Sequence, residues 1–145
     1  YGGRQPMAFT YYIDPQVNCA FVRCFDEVKV GEGYASLKAI TSDPQFVPNL
    51  NILRDTTETT VLETYGDTHE LRKAREGTEK YTAKFKGTRF AWVVGSPADY
   101  AAAHRWSVTT RLESHVTRKP FREISQARQW LGIPEYYEIK YPSTD

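Results

Sequence analysis

The sequence predicts an α/β domain: one mostly parallel sheet of four to five strands with an antiparallel edge strand, flanked by about four helices. Three observations predict it. Short β-branched and aromatic runs alternate with longer stretches of helical spacing; Ser, Asp, Pro and Gly punctuate the helix ends; and Phe90 to Val94 is apolar throughout, as a strand buried on both faces requires. The chain has 145 residues, of which 40% are hydrophobic, enough to build one core.

Phe9 to Ile13 and Cys19 to Phe25 flank Asp14-Pro15-Gln16-Val17-Asn18, so the pair reads as a hairpin. Glu27 to Thr41 is a first helix with Val30, Tyr34, Leu37 and Thr41 on one face, stopped by Ser42-Asp43-Pro44. Asn51 to Arg54 is a short strand ending at Asp55. Thr56, Thr57, Thr59 and Thr60 then offer caps to a second helix through Val61, Leu62 and Tyr65. The buried run Phe90 to Val94 leads into Gly95-Ser96-Pro97-Ala98-Asp99. There Ser96 reads as N-cap, Pro97 as the first helical residue and Asp99 as its acidic partner, with Tyr100, Ala103, His104 and Val108 as the inward stripe. His115 to Phe121 is the last strand. Ile124, Ala127 and Leu131 mark a closing helix, terminated by Gly132 and Pro134. Residues 7–132 form the expected domain. Residues 1–6 read as a remnant ahead of Met7, and 133–145 as a C-terminal tail whose Tyr136, Tyr137 and Tyr141 pack on the surface or on a partner.

The charge is balanced, with 19 Lys and Arg against 18 Asp and Glu, so no broad field draws nucleic acid. No apolar run has transmembrane length and no signal peptide is evident, so the expected location is cytoplasmic. Cys19 and Cys24 stand five apart in a strand, point to opposite faces and are expected to be buried reduced thiols. His69, His104 and His115 are too few, and wrongly spaced, to complete a metal site with them.

The element order, the Arg54-Asp55 pair, the crossing Val93-Val94-Gly95-Ser96-Pro97-Ala98-Asp99-Tyr100 and the ending Phe121…Ala127…Trp130-Leu131 resemble the SpoIIAA-like group of bacterial STAS-type proteins. The resemblance covers about Tyr11 to Gly132. It implies a sheet flanked by helices and a non-enzymatic role, since STAS domains mostly regulate partners and the related CRAL-TRIO fold binds lipids. Relatives that act as anti-sigma-factor antagonists accept phosphate on a Ser within an Asp-Ser-x-Gly motif. Here no Asp-Ser pair followed by Gly appears among the threonines, so the resemblance does not carry a phosphorylation site with it.

Catalytic constellations are weak. Asp99 and His104 lie about 140° apart around a helix and do not converge on Ser96. Gly95-Ser96-Pro97 is a cap and not a Gly-x-Ser-x-Gly elbow, and no glycine-rich phosphate loop occurs, so no cofactor is expected. The basic stretch Arg72 to Arg89, with Glu76 and Glu79 interspersed, reads as a solvated helix end. The expectation is a non-enzymatic STAS-like regulatory or ligand-binding module with an unknown protein or small-molecule partner. A small lipid or apolar-metabolite carrier, walled by Tyr34, Tyr65, Tyr100 and Trp106, is the alternative, and an enzyme of unfamiliar type the third. A homodimer covering the aromatic tail is expected as well. Because ligands of open α/β sheets collect outside the carboxyl ends of the strands, the candidate binding residues are Arg54, Asp55, Thr57, Gly95, Ser96 and Tyr100.

Overall fold

The computed structural model describes residues 9–25, 30–59, 76–109 and 115–142. The elements are β1 (Phe9–Asp14), β2 (Cys19–Cys24), α1 (Val30–Thr41), β3 (Asn51–Thr56), α2 over 76–82, β4 (Thr88–Val94), α3 (Pro97–Thr109), β5 (Val116–Phe121) and α4 (Ile124–Leu131). One sheet in the order β1-β2-β3-β4-β5 holds all five strands. Its first pair is antiparallel and the rest are parallel. This is the predicted α/β architecture, with the antiparallel strand at the edge. The second helix expected at Val61, Leu62 and Tyr65, together with Thr60, His69 and residues 1–6, falls outside the described residues, as do the side chains of Val30 and Tyr34.

The hairpin turn is built as its residues dictate. Asp14 Oδ1 accepts the Gln16 N–H at 2.9 Å, and Asn18 takes the left-handed conformation (φ 51°) that Asn tolerates. Asn18 also ties the hairpin to β3: its Nδ2 donates to Asn49 O at 3.0 Å and its carbonyl accepts the Asn51 N–H at 3.0 Å.

Because strand side chains alternate, each strand feeds two cores. On the first face Ala20, Val22, Ile52, Trp92, Val94 and Val116 meet Leu37 and Ile40 of α1 and Ala102, Ala103 and Trp106 of α3. On the second, Phe21, Leu53, Ala91, Val93 and Phe121 meet Ala127 and Leu131 of α4. Cys24 belongs to the first core and Cys19 to the second, both buried and free, as the five-residue spacing predicts. Burial pushes the Cys19 thiol well above its usual range, so it stays protonated and unreactive.

The inward stripe of α3 keeps Ala103 of the expected set and otherwise differs. Ala102, Ala103 and Trp106 face the sheet, whereas Tyr100 and Val108 are 38% and 42% exposed and His104 lies outside. Two adjacent alanines let the helix approach the sheet closely, and that packing outweighs the apolar character of Tyr100 and Val108. The helix start holds as predicted, with Ser96 Oγ accepting the Asp99 N–H at 3.1 Å. Helix α4 ends on Gly132 (φ 74°), whose N–H bonds Gln129 O while Ile133 N–H bonds Arg128 O, and Ile133 turns into the second core.

Beyond Ile133 the tail returns along the second face. Tyr137, Ile139 and Tyr141 pack there beside Tyr12 and Phe21, so the tail covers its own sheet.

A polar link is built into the centre of the sheet. Thr56, fully buried, donates its hydroxyl to Val93 O at 2.9 Å and accepts the Trp92 indole N–H at 2.9 Å. Thr56→Val preserves shape but takes a hydrogen bond from each of two buried groups. The expected loss is about 1 to 3 kcal/mol in urea denaturation, and a variant within 0.3 kcal/mol of the parent would show that neither bond matters.

Candidate functional site

Of the six sequence-predicted residues, Ser96 caps α3 and the structure divides the other five among three places. Arg54 projects into the first core from β3, only 5% exposed, with its guanidinium carbon 4.9 Å from the Trp92 ring centroid. Arg118 of β5 enters the same layer and stands 5.6 Å from Trp106 and 5.9 Å from Phe90. Interleaving guanidinium planes with aromatic rings lets two cations lie within a mostly apolar layer. The hollow they border, with Ser36 and Thr78, measures about 20 Å³, room for about one water.

Asp55 points to the opposite face and is engaged locally: its Oδ1 accepts the Thr57 N–H at 2.9 Å and the Thr57 hydroxyl at 2.7 Å. This short turn lies beside the Arg23–Glu58 ion pair at 2.6 Å. Tyr141 of the tail stands over it, its phenol pushed above the ordinary range by burial and then by the Asp55 charge. Gly95 meets the same turn from β4. A Cβ built on Gly95 would fall 2.7 Å from Thr57 O, so the glycine permits two backbones to touch and is explained by that contact. Gly95→Ala is expected to destabilise by about 1 to 3 kcal/mol, because the obstructing atom is main chain. Thermal unfolding checks it; an unchanged midpoint would mean that the β3 and β4 ends separate freely.

The strand order bears on why the described residues do not bring these six side chains together. A ligand cleft at the carboxyl ends of an open sheet arises where the strand order reverses and successive connections take opposite faces. Here the order runs from β1 to β5 without reversal, and α1, α2 and α3 supply residues to the same core.

Tyr100, the sixth residue, lies elsewhere and borders a groove of about 540 Å³ at the end of the edge strand β5. Lys119, Pro120, Phe121 and Arg122 form its floor, and Gln126, Gln129 and Trp130 of α4 its far wall. Gln126 and Gln129 stand three apart and so share one helix face. Phe121 and Trp130 make a tilted ring pair, 5.6 Å between centroids, and Arg89 braces Trp130 from behind by donating to its carbonyl at 2.7 Å. Lys119 Nζ stands 5.5 Å from the Phe121 ring centroid. On the other wall the Tyr100 ring stacks on His104, 6.5 Å away.

Chemically the groove offers two cations, two amides and three aromatic rings. Among the described residues no carboxylate lines it. Among the described residues there is no group of three or more side chains able to hold a metal ion, and no helix long and apolar enough to cross a membrane. Sequence reasoning missed all of the groove but Tyr100, since its residues come from three separate stretches. The pattern Lys119-Pro120 inside a strand was the available signal: Pro confines β5 to a sheet edge, where a groove can open. No family model, curated protein or solved structure matches this chain.

Proposed function

We propose that this protein is a non-enzymatic ligand-binding module, of the regulatory kind that the STAS resemblance implies, and that the groove at the end of β5 is its binding site. The observation that carries this reading is the groove's lining. Amide, guanidinium, ammonium and aromatic groups hold and orient a molecule, whereas the nucleophile, base and orienting acid of a hydrolytic site do not meet there. Its volume lies within the range of small-molecule sites.

The carrier reading draws less support. Trp106, one wall of the expected apolar pocket, is packed into the first core, and Tyr100 lies at the surface. The homodimer draws less support too, because Tyr137 and Tyr141 are spent on the protein's own sheet.

A two-dimensional NMR screen of a mixed fragment library tests the reading. Binders are expected to shift the resonances of Lys119, Arg122, Gln126 and Trp130. Binders that move instead the Arg54–Trp92 layer, or a library without a single groove binder, would overturn it.

A further inference from the structure

The groove's chemistry narrows its occupant, and this inference rests on the binding-site reading above. We infer that the groove takes a planar aromatic ring bearing an oxyanion, either carboxylate or phosphate. The anion sits on Lys119 and Arg122, and the ring lies against the Phe121–Trp130 pair.

Charge gives the first argument. The whole chain is balanced, 19 cationic side chains against 18 acidic, yet the described residues that line the groove include two cations and no carboxylate. Neither Lys119 nor Arg122 forms an ion pair with a described residue; the recorded contact of Lys119 is with the Phe121 ring. The pair therefore makes a local positive field in a concave site, where its effect on an anion is greatest. An arginine fork adds bidentate geometry that fits carboxylate and phosphate alike.

Shape gives the second argument. Phe121 and Trp130 present an aromatic wall that is braced and not free to collapse: Arg89 holds Trp130 through its carbonyl and lies 5.6 Å from its ring centroid. A flat ring stacks on such a wall at small entropic cost. Gln126 and Gln129 each carry a donor pair and an acceptor, and read polar substituents on the ring edge.

An extended peptide added to the β5 edge is the competing occupant, and Pro120 opposes it. Proline in an edge strand stands with its missing N–H on the outer side, so an added strand finds no donor there.

The test uses the intact protein with 2-naphthoate, 2-naphthyl phosphate, neutral 2-naphthamide and cyclohexanecarboxylate as probes. The chain has three tryptophans, so three indole N–H signals are observed. Trp92 and Trp106 are buried and serve as internal references, while Trp130 lines the groove. The two naphthyl anions are expected to move the Trp130 signal and to bind at least about tenfold more tightly than the amide or the aliphatic acid. Which naphthyl anion binds better distinguishes a carboxylate ligand from a phosphate one. The double variant K119A/R122A is expected to weaken both anions by about tenfold or more while keeping the parent circular dichroism spectrum, because both side chains are exposed. Equal affinity for naphthamide, or full affinity in the double variant, overturns the inference. If neutral fragments occupy the groove while the anions do not, the aromatic oxyanion is wrong and the binding site stands; if nothing occupies it, both fall.

Discussion

Phe21→Ala is expected to remove about 3 to 5 kcal/mol of stability. Phe21 lies in β2, between the edge strand β1 and the parallel strand β3, and is fully buried. Its ring packs against two others: Tyr12 at 4.9 Å and 19°, and Tyr137 at 5.4 Å and 13°. Truncation therefore forfeits the transfer of a whole phenyl ring and leaves a cavity that two tethered tyrosines cannot fill by relaxing, since the hydroxyls of both are hydrogen-bonded to one another. A domain of this size is stable by about 5 to 15 kcal/mol, so the variant loses roughly a fifth of the total at the least. Urea denaturation followed by circular dichroism reads the change directly. Phe21→Leu is the control, with an expected loss of at most about 1.5 to 2 kcal/mol. A loss below 1 kcal/mol for the alanine variant would mean that the three-ring stack is not a structural unit.

The sheet was legible because its rules are local. The apolar runs of β2 and β4 and the Ser96–Pro97 cap each fix an element within a few residues, and the alternation of strands with helical stretches fixes parallel pairing. The stripe of α3 was not legible from hydrophobicity. Tyr100 and Val108 are more apolar than Ala102 and Ala103, but the smaller side chains bring the helix nearer the sheet and so decide which face turns in. Arg54 illustrates the same limit: it reads as a rim cation, yet Trp92, its register partner on the neighbouring strand, gives its guanidinium an aromatic surface to lie on. The groove could not be read at all from spacing, because Tyr100, the end of β5 and α4 meet only after the chain has crossed from one face of the sheet to the other. The tail carried a signal that went unused. Tyr137, Ile139 and Tyr141 stand two apart, the period of an extended segment laid along one surface.

That tail is expected to be essential to the fold: ending the chain at Gly132 should cost on the order of 4 to 7 kcal/mol, taking full burial of a large apolar side chain as about 1.5 to 3 kcal/mol and counting the half-buried ones at half. Ile133 is 5% exposed, and Tyr137, Ile139 and Tyr141 are partly buried against Tyr12 and Phe21. Polar anchors fix the segment at both ends. Arg128 donates to the carbonyls of Pro134 and Tyr137, and the Tyr137 hydroxyl donates to Asp14 at 2.8 Å while meeting Tyr12 at 3.1 Å. Lys140 N–H reaches the Tyr12 hydroxyl at 3.2 Å. Thermal unfolding of the truncated chain should show a broad, early transition, and a midpoint within 3 °C of the parent would sink the claim. The same packing predicts an alkaline signature. Burial raises the Tyr137 phenol above the usual value of about 10, with hydrogen bonding to Tyr12 and Asp14 adding to it, and burial raises Tyr141 likewise. A phenol whose folded pKa is raised contributes fully below pH 10. As the pH climbs past that value the unfolded chain loses its protons first, and stability falls by at most about 1.4 kcal/mol per pH unit for each group. Tyr137→Phe combined with Tyr141→Phe should therefore flatten the decline above pH 10. A residual slope should remain from Tyr11, which burial and Asp43 shift the same way, and from the buried Cys19 thiol. If the double variant and the parent lose stability in parallel, the two phenols are solvated and the tail does not lie on the sheet.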